Sequence, residues 1–310
     1  MDNLTHSLVG ALIGQAGLKR KTGLAMPALI IGANLPDVDA ACFLWLDGVE
    51  HLAFRRGITH GPIAWVLLPL LLAGGLWWWD RWQARRGRRP EGRLPVHFGW
   101  LYGLALLATL THPALDWLNT YGIRLLEPFS SRWFYGDVLF IIDVWLWVLM
   151  GFTTWFSLRR EKRGGEWRRP ARIALSVAAA YVGVNAAITR SVESAMIRSP
   201  TGTQEVIASP PPFMAFDREV ISGGKGLYTV GERTLPGVPL NRCDLAKARR
   251  IDRKVDAFLF WSRTPLVEPR TDGGLWLRDA RYVDPRMGDR FSVRLPDGSC
   301  PSIRTKPIAP

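Results

Sequence analysis

The chain has 310 residues, 48% of them hydrophobic, and carries 40 Lys and Arg against 27 Asp and Glu, a formal net charge of +13. That excess could suit a nucleic-acid binder, but much of it lies in short loops between apolar runs, where it reads as a membrane-topology signal. Three cysteines are too few for a disulfide scaffold or a thiolate zinc site, which leaves Cys243 and Cys300 able to pair only in an oxidising compartment.

Residues 1–190 hold the long apolar runs, and 191–310 are polar and rich in Pro and Gly. The start, "MDNLTHSLVG", has no basic flank and does not read as a cleaved signal peptide. Two short stretches come first, Leu4–Leu18 and Leu24–Leu35, separated by "KRKTG". At about 1.5 Å per residue each is short for a full crossing, and they suit a tilted or re-entrant helical hairpin. Pro62–Trp79, Phe98–Leu118, Val138–Leu158 and the Ala-rich Ile173–Thr189 follow as four spans, near the about 20 apolar residues a bilayer needs. Trp77, Trp78, Trp79 and Trp82 cluster at a segment end, as interfacial aromatics do. The loops "DRWQARRGRRPEGR" and "RREKRGGEWRRPAR" place the ends they follow in the cytoplasm, with the N-terminus and everything after residue 190 outside. Arg55 and Arg56 break that pattern by falling on the outer side.

The same topology brings ionisable groups together. His6 opens the first short helix, "NLPDVD" with Asp37 and Asp39 ends the second, and His60 stands at the mouth of the first long span. "THPALDWLNTYG" ends the second long span, with His112 and Asp116 as i,i+4 neighbours on one helical face. Taken singly, each has an ordinary explanation as a cap, a turn or an interfacial residue. Together they reach one membrane face, where buried charge is costly and usually functional. Imidazole and carboxylate without thiolate suit one or two divalent ions, Zn first with Mn or Fe as alternatives. Such a site can activate water for hydrolysis, with Asp39 or Asp116 as the candidate general base. Arg55 and Arg56 are candidate holders of an anionic head group. Asp137 and Asp143 flank the third long span as candidate outer partners of a ligating histidine or of an arginine.

The four blocks "MDNLTHSLVG", "NLPDVD", "RRGITHG" and "THPALDWLNTYG", in that order over roughly residues 1–160, resemble the signature of the YdjM family of bacterial inner-membrane proteins, described as predicted membrane-bound metal-dependent hydrolases. The resemblance implies metal ligation by His6, Asp37, Asp39, His60, His112 and Asp116. Beyond residue 190, "GLYTVGE", "GGLWLRDARYV" and "DRFSVRLPDG" read as strands between Gly, Pro and Asp punctuation. "DLAKARRIDRKVDAFLFWS" suits a helix capped by Asp244, and the Pro triplet at 210–212 marks a linker or domain entry. The expected architecture is a polytopic α-helical membrane domain, four long spans plus the short hairpin, followed by a small extracytoplasmic α+β or mostly β domain. The expected activity is hydrolysis of a membrane lipid or lipid-linked phosphoester at the outer face of the inner membrane. A cation transporter and a metal-bearing scaffold are the competing readings.

Overall fold

A computed structural model of the chain describes residues 1–198, 205–284 and 288–301. It divides into two compact units, one of Met1–Asp39, Arg56–Ile188 and Pro210–Asp217, the other of Ala40–Arg55, Thr189–Ser209 and the chain from Arg218 onward. The Pro triplet thus belongs to the first unit, and the segment between the second short helix and His60 is shared out between both.

The first unit is helical: α1 (Asn3–Gln15), α2 (Ala25–Asn34), α4 (Pro62–Arg85), α5 (Phe98–Trp117), α6 (Val144–Lys162) and α7 (Arg168–Ile197), the last of which passes into the second unit at Thr189. Asp2 caps α1 by accepting from the amides of Leu4 and Thr5, which satisfies two of the donors a helix start leaves open. Small residues let the helices approach closely. A Cβ at Gly10 of α1 would stand 2.5 Å from the Leu29 carbonyl of α2, and one at Gly32 of α2 3.1 Å from the Ala105 carbonyl of α5. Ala25, Leu29, Ala33, Leu104 and Ala108 bury one seam, and Leu12, Leu146, Met150, Ala171 and Ala174 another. Val66, Leu67 and Leu71 of α4 and Val148 and Phe152 of α6 stay exposed, as lipid-facing side chains would.

Four helices are long and apolar enough to cross a membrane: Ala25–Leu44, Pro62–Arg85, Phe98–Trp117 and Arg168–Ile197. The expected layout of a polytopic helical region followed by antiparallel sheet therefore holds, with one exchange among the spans. The run expected at Val138–Leu158 begins its helix only at Val144, because the amides of Val138 and Leu139 both donate to the Leu118 carbonyl and Asp143 caps α6. The second short stretch is longer than expected, since α2 continues beyond Asn34 as a 3₁₀ helix to Leu44.

The second unit holds two antiparallel sheets. β1 (Glu205–Ser209), β2 (Glu219–Gly224), β3 (Leu227–Val230) and β4 (Arg233–Thr234) form a meander, and β5 (Pro265–Pro269), β6 (Leu275–Asp279) and β7 (Ser292–Arg294) a second one. The helix expected over 244–262 is two, α8 (Leu245–Ile251) and α9 (Arg253–Trp261), each with its own aspartate cap, Asp244 and Asp252. The short α3 (His51–Phe54) packs on α9. Phe258 and Trp261 of "FLFW" are fully buried, so that run serves the core. Cys243 and Cys300 are disulfide-bonded.

Asp279, fully buried at the end of β6, organises this unit. It accepts from the hydroxyls of Ser262 (2.6 Å) and Thr264 (2.9 Å) and pairs with the buried Arg281 guanidinium at 2.8 Å. Burial alone would raise its pKa, but Arg281 and the hydroxyl and amide donors outweigh that and hold the carboxyl well below the usual aspartate range. A depressed folded-state pKa contributes stability that is fully present above the unfolded value of about 3.9 and is lost as the pH falls below it. Asp279→Asn should remove that acid-side slope from the unfolding transition of the second unit and cost about 3–5 kcal/mol at neutral pH, because it strands a buried guanidinium. Urea unfolding followed by near-ultraviolet circular dichroism between pH 3 and 7 checks this; an unchanged slope would refute it.

Candidate metal centre

The chain turns that place the centre lie at one end of the helices of the first unit. Asp37 follows α2 on the 3₁₀ extension, His60 closes a short 3₁₀ turn (Ile58–His60) just ahead of α4, and His112 and Asp116 occupy the last turns of α5. His6 lies in the first turns of α1. Gly61 lets the chain enter α4 against the loop that follows α5, since a Cβ there would stand 1.9 Å from the Glu127 carbonyl.

Two hydrogen-bond chains set the tautomers of the central histidines. Pro36 has no N–H, so the Ala33 carbonyl three residues earlier stays open, and His112 Nδ1–H donates to it at 2.7 Å. His60 Nδ1–H donates to Thr59 Oγ1 (2.9 Å), whose hydroxyl donates to Asp39 Oδ2 (3.2 Å). Burial pushes the His60 imidazole below its ordinary pKa, which keeps that ring neutral. Both Nε2 lone pairs are thereby directed inward, and they face each other at 3.2 Å. Two nitrogens on a tetrahedral ion, each about 2.0–2.1 Å away, stand about 3.3 Å apart. Asp116 Oδ2 lies 3.5 and 3.6 Å from the same two nitrogens, and Asp37 Oδ1 lies 3.8 and 3.9 Å from them. Side chains of all four are 9% exposed or less.

His6 completes the cluster. Its ring stacks on His112 with centroids 3.8 Å apart, and its Nε2 is 3.4 Å from Asp116 Oδ1. Neither His6 ring nitrogen makes a hydrogen bond, although the side chain is fully buried. An imidazole dry on both sides is costly unless something supplies its partner. These residues fit a divalent ion on donor chemistry and on spacing, in two overlapping groups, Asp37 with His60 and His112, and His6 with His112 and Asp116.

Asp39 stands apart from the donors. It lies behind His60, accepting the Arg56 amide (2.7 Å) and the Thr59 hydroxyl, with His60 Nδ1 at 3.6 Å. The two arginines also separate. Arg55 lies in the second unit with its guanidinium 5.5 Å from the Phe43 ring centre. Arg56 is buried, at a positive φ of 55°, a conformation that persists in a non-glycine residue only where surroundings enforce it. Its Nε meets Asp116 Oδ2 at 3.1 Å, and its Nη1 donates to Asn119 Oδ1 (3.1 Å) and the Gly122 carbonyl (3.2 Å). Asp143 is neither a histidine partner nor an arginine partner in this way: it accepts from the Leu146 amide and the Tyr181 hydroxyl, each at 2.9 Å. Asn119 and Thr59 were not singled out by sequence; the available signals were their places three residues beyond Asp116 and next to His60.

The sequence model for the YdjM inner membrane protein family matches residues 1–192, a stretch that contains every donor described above. The chain belongs to the YdjM family. A relative in Bacillus subtilis (strain 168), the uncharacterized protein YfhP, is 26% identical over 167 residues, 51% of this chain and 47% of YfhP, so the match spans about half of each protein. No solved structure matches the chain. The YdjM match ends ahead of the sheets, so of the second unit it takes in only residues 40–55 and 189–192.

Thr59→Val and Asp39→Asn should each weaken metal retention about 10–100-fold without changing helical content, as loss of an outer partner of a ligating histidine does elsewhere. Competition with a fluorescent chelator reads this out, and an affinity equal to wild type in both variants would remove the orienting chain from the account.

Proposed function

We propose that this YdjM-family protein is a membrane-bound metal-dependent hydrolase, with a lipid or lipid-linked phosphoester as its substrate class. The observation that carries the reading is the pair of inward-facing Nε2 lone pairs of His60 and His112 at 3.2 Å, closed in by Asp37 and Asp116. Zn suits this donor set best, with Mn or Fe as alternatives. His112 has only its Nε2 to offer, because Nδ1 is given to Ala33, so the two overlapping donor groups compete for one nitrogen and a single ion is the better-supported count.

When bound, the ion supplies Lewis-acid polarisation and lowers the pKa of a water. His60, His112, Asp37 and Asp116 hold it, and the Thr59–Asp39 chain keeps His60 in the ligating tautomer. Asp39 thereby acts as a positioning residue. With Asp116 engaged by the ion and by Arg56, His6, whose ring nitrogens are unbonded, is the group placed to take a proton. Arg56 anchors Asp116, and no hydrogen bond among the described residues uses its Nη2, which leaves that donor for an anionic oxygen of the substrate. Arg55 has no place in this arrangement.

An outer-face location is supported by the opposite ends of the same helices, where Lys19, Arg20 and Lys21 follow α1, Arg85, Arg86, Arg88 and Arg89 follow α4, and Arg159, Arg160 and Lys162 end α6. The Cys243–Cys300 bond supports an oxidising side for the second unit. The near-complete burial of the donors favours a metal-bearing scaffold as the second reading, since a closed protein-coordinated ion is structural.

Metal content of detergent-purified protein, by mass spectrometry, should give about one equivalent in wild type and loss in both His60→Ala and His112→Ala. Phosphate or head-group release from a phospholipid panel, lost in the same variants, then separates hydrolase from scaffold. No stoichiometric metal in folded wild type would sink both readings.

A further inference from the structure

The second unit carries an open cavity of 570 Å³ bounded by the Gly48–His51 turn, the first turn of α9 and the approach to β7. Its charged lining is Lys254, Arg290 and Arg294 against a single acid, Asp289. Asp289 is already committed: both its oxygens are taken by the Arg270 guanidinium, which also sits 4.3 Å from the Trp276 ring centre. Arg294 pairs loosely with Asp297 at 3.7 Å, with both side chains more than half exposed, and also feels the charge of Asp272. Neither Lys254 nor Arg290 forms an ion pair among the described residues. The end of the Lys254 side chain lies over Gly48, 3.6–3.7 Å from where a Cβ would stand, in space that a larger side chain there would crowd. The rings of Trp276 and Phe291 give the cavity an apolar wall beside these cations. Phe291 is fixed from behind, 5.2 Å from Trp261 and 4.5 Å from Tyr282.

We propose that this cavity is a binding site for a phosphate group. Two arginines and a lysine around one hollow can surround a group bearing up to two negative charges, with guanidinium forks suited to paired phosphate oxygens and the ammonium acting as a point charge. A lone surface cation would be neutralised by salt; three converging on a concave wall raise the local potential enough to select a multiply charged anion. The aromatic wall takes whatever apolar or ring body carries the phosphate. Its cationic and aromatic residues all lie beyond the YdjM-matched region, only Gly48, Val49 and His51 of the lining falling within it, and the cavity shares no side chain with the metal centre, so the site stands or falls independently of the hydrolase reading.

Calorimetric titration of the full chain in detergent tests it, using inorganic phosphate, a short-chain phosphatidic acid and the matching phosphatidylcholine. The variants are His60→Ala, the charge reversal Lys254→Glu with Arg290→Glu, and the milder Arg290→Gln with Arg294→Gln at exposed positions. Near-ultraviolet circular dichroism confirms that each retains the folded second unit. Phosphate binding that persists in His60→Ala and falls about tenfold or more in both cavity variants is the expected result, tenfold being about 1.4 kcal/mol. Within that result, tighter binding of phosphatidic acid than of inorganic phosphate identifies a lipid headgroup, and equal binding a free phosphate. Binding lost in His60→Ala but kept in the cavity variants would place phosphate at the metal centre and overturn the proposal. So would no binding by wild type, or phosphatidylcholine binding as well as phosphatidic acid.

Discussion

Two imidazole nitrogens stand 3.2 Å apart with two carboxylates closing on them in a buried pocket, and the rest of the first unit is arranged around that crowding. Lone pair against lone pair is repulsive, and buried carboxylates are costly unless paired. Arg56 and the Met1 ammonium already pair with Asp116, and a divalent cation would relieve the crowding of the two nitrogens. Much of the first unit can be understood as the means of holding this pocket. The glycine contacts that bring α1, α2 and α5 within backbone distance carry His6, Asp37, His112 and Asp116 to one end of the bundle. Pro36 frees the carbonyl that fixes one tautomer, and Thr59 with Asp39 fixes the other.

Arg56 lies where two of these demands meet. Its amide donates to Asp39 and its guanidinium pairs with Asp116, so one residue holds the outer support of His60 and an inner donor. Reaching both requires the left-handed backbone seen at that residue. The chain leaves the first unit after Asp39 and returns at Arg56, and the bond between them closes that excursion. The same contact therefore ends the detour that contributes residues 40–55 to the second unit and steadies the support of a candidate ligand, His60.

The gathering of the candidate donors was legible in sequence because histidine and aspartate at membrane depth have few other uses, and because the i,i+4 spacing of His112 and Asp116 fixes a shared face. The division of labour between Asp37 and Asp39 was not legible. Two residues apart looks equivalent on paper, but on a 3₁₀ helix of three residues per turn they are turned well away from each other, one toward the imidazoles and one behind them. Arg55 and Arg56 diverge for a similar reason, a single positive φ that no residue type announces. Apolar content marked Val138–Leu158 as a span, yet hydropathy is blind to the Leu118 carbonyl that holds Val138 and Leu139 outside the helix. The single helix expected at 244–262 carried its own break in Asp252, a cap residue whose meaning depends on whether the chain there is already helical.

Access distinguishes a working centre from a structural one, and here the donors differ. Asp37 has a side chain 9% exposed, whereas those of His60, His112 and Asp116 are at 0–1%, so any approach to an ion runs past Asp37. Exposed apolar residues stand within two positions of three donors: Val38 next to Asp37 is 48% exposed, Leu4 two residues ahead of His6 48%, and Ile58 two residues ahead of His60 58%. Water-soluble substrates would gain nothing from such neighbours, and their exposure would cost solubility in an aqueous mouth. An acyl chain would pack against them while its polar head met Arg56 and the centre. Exposed apolar side chains beside a buried ionic pocket thus favour a substrate that arrives through the lipid over one that arrives through water.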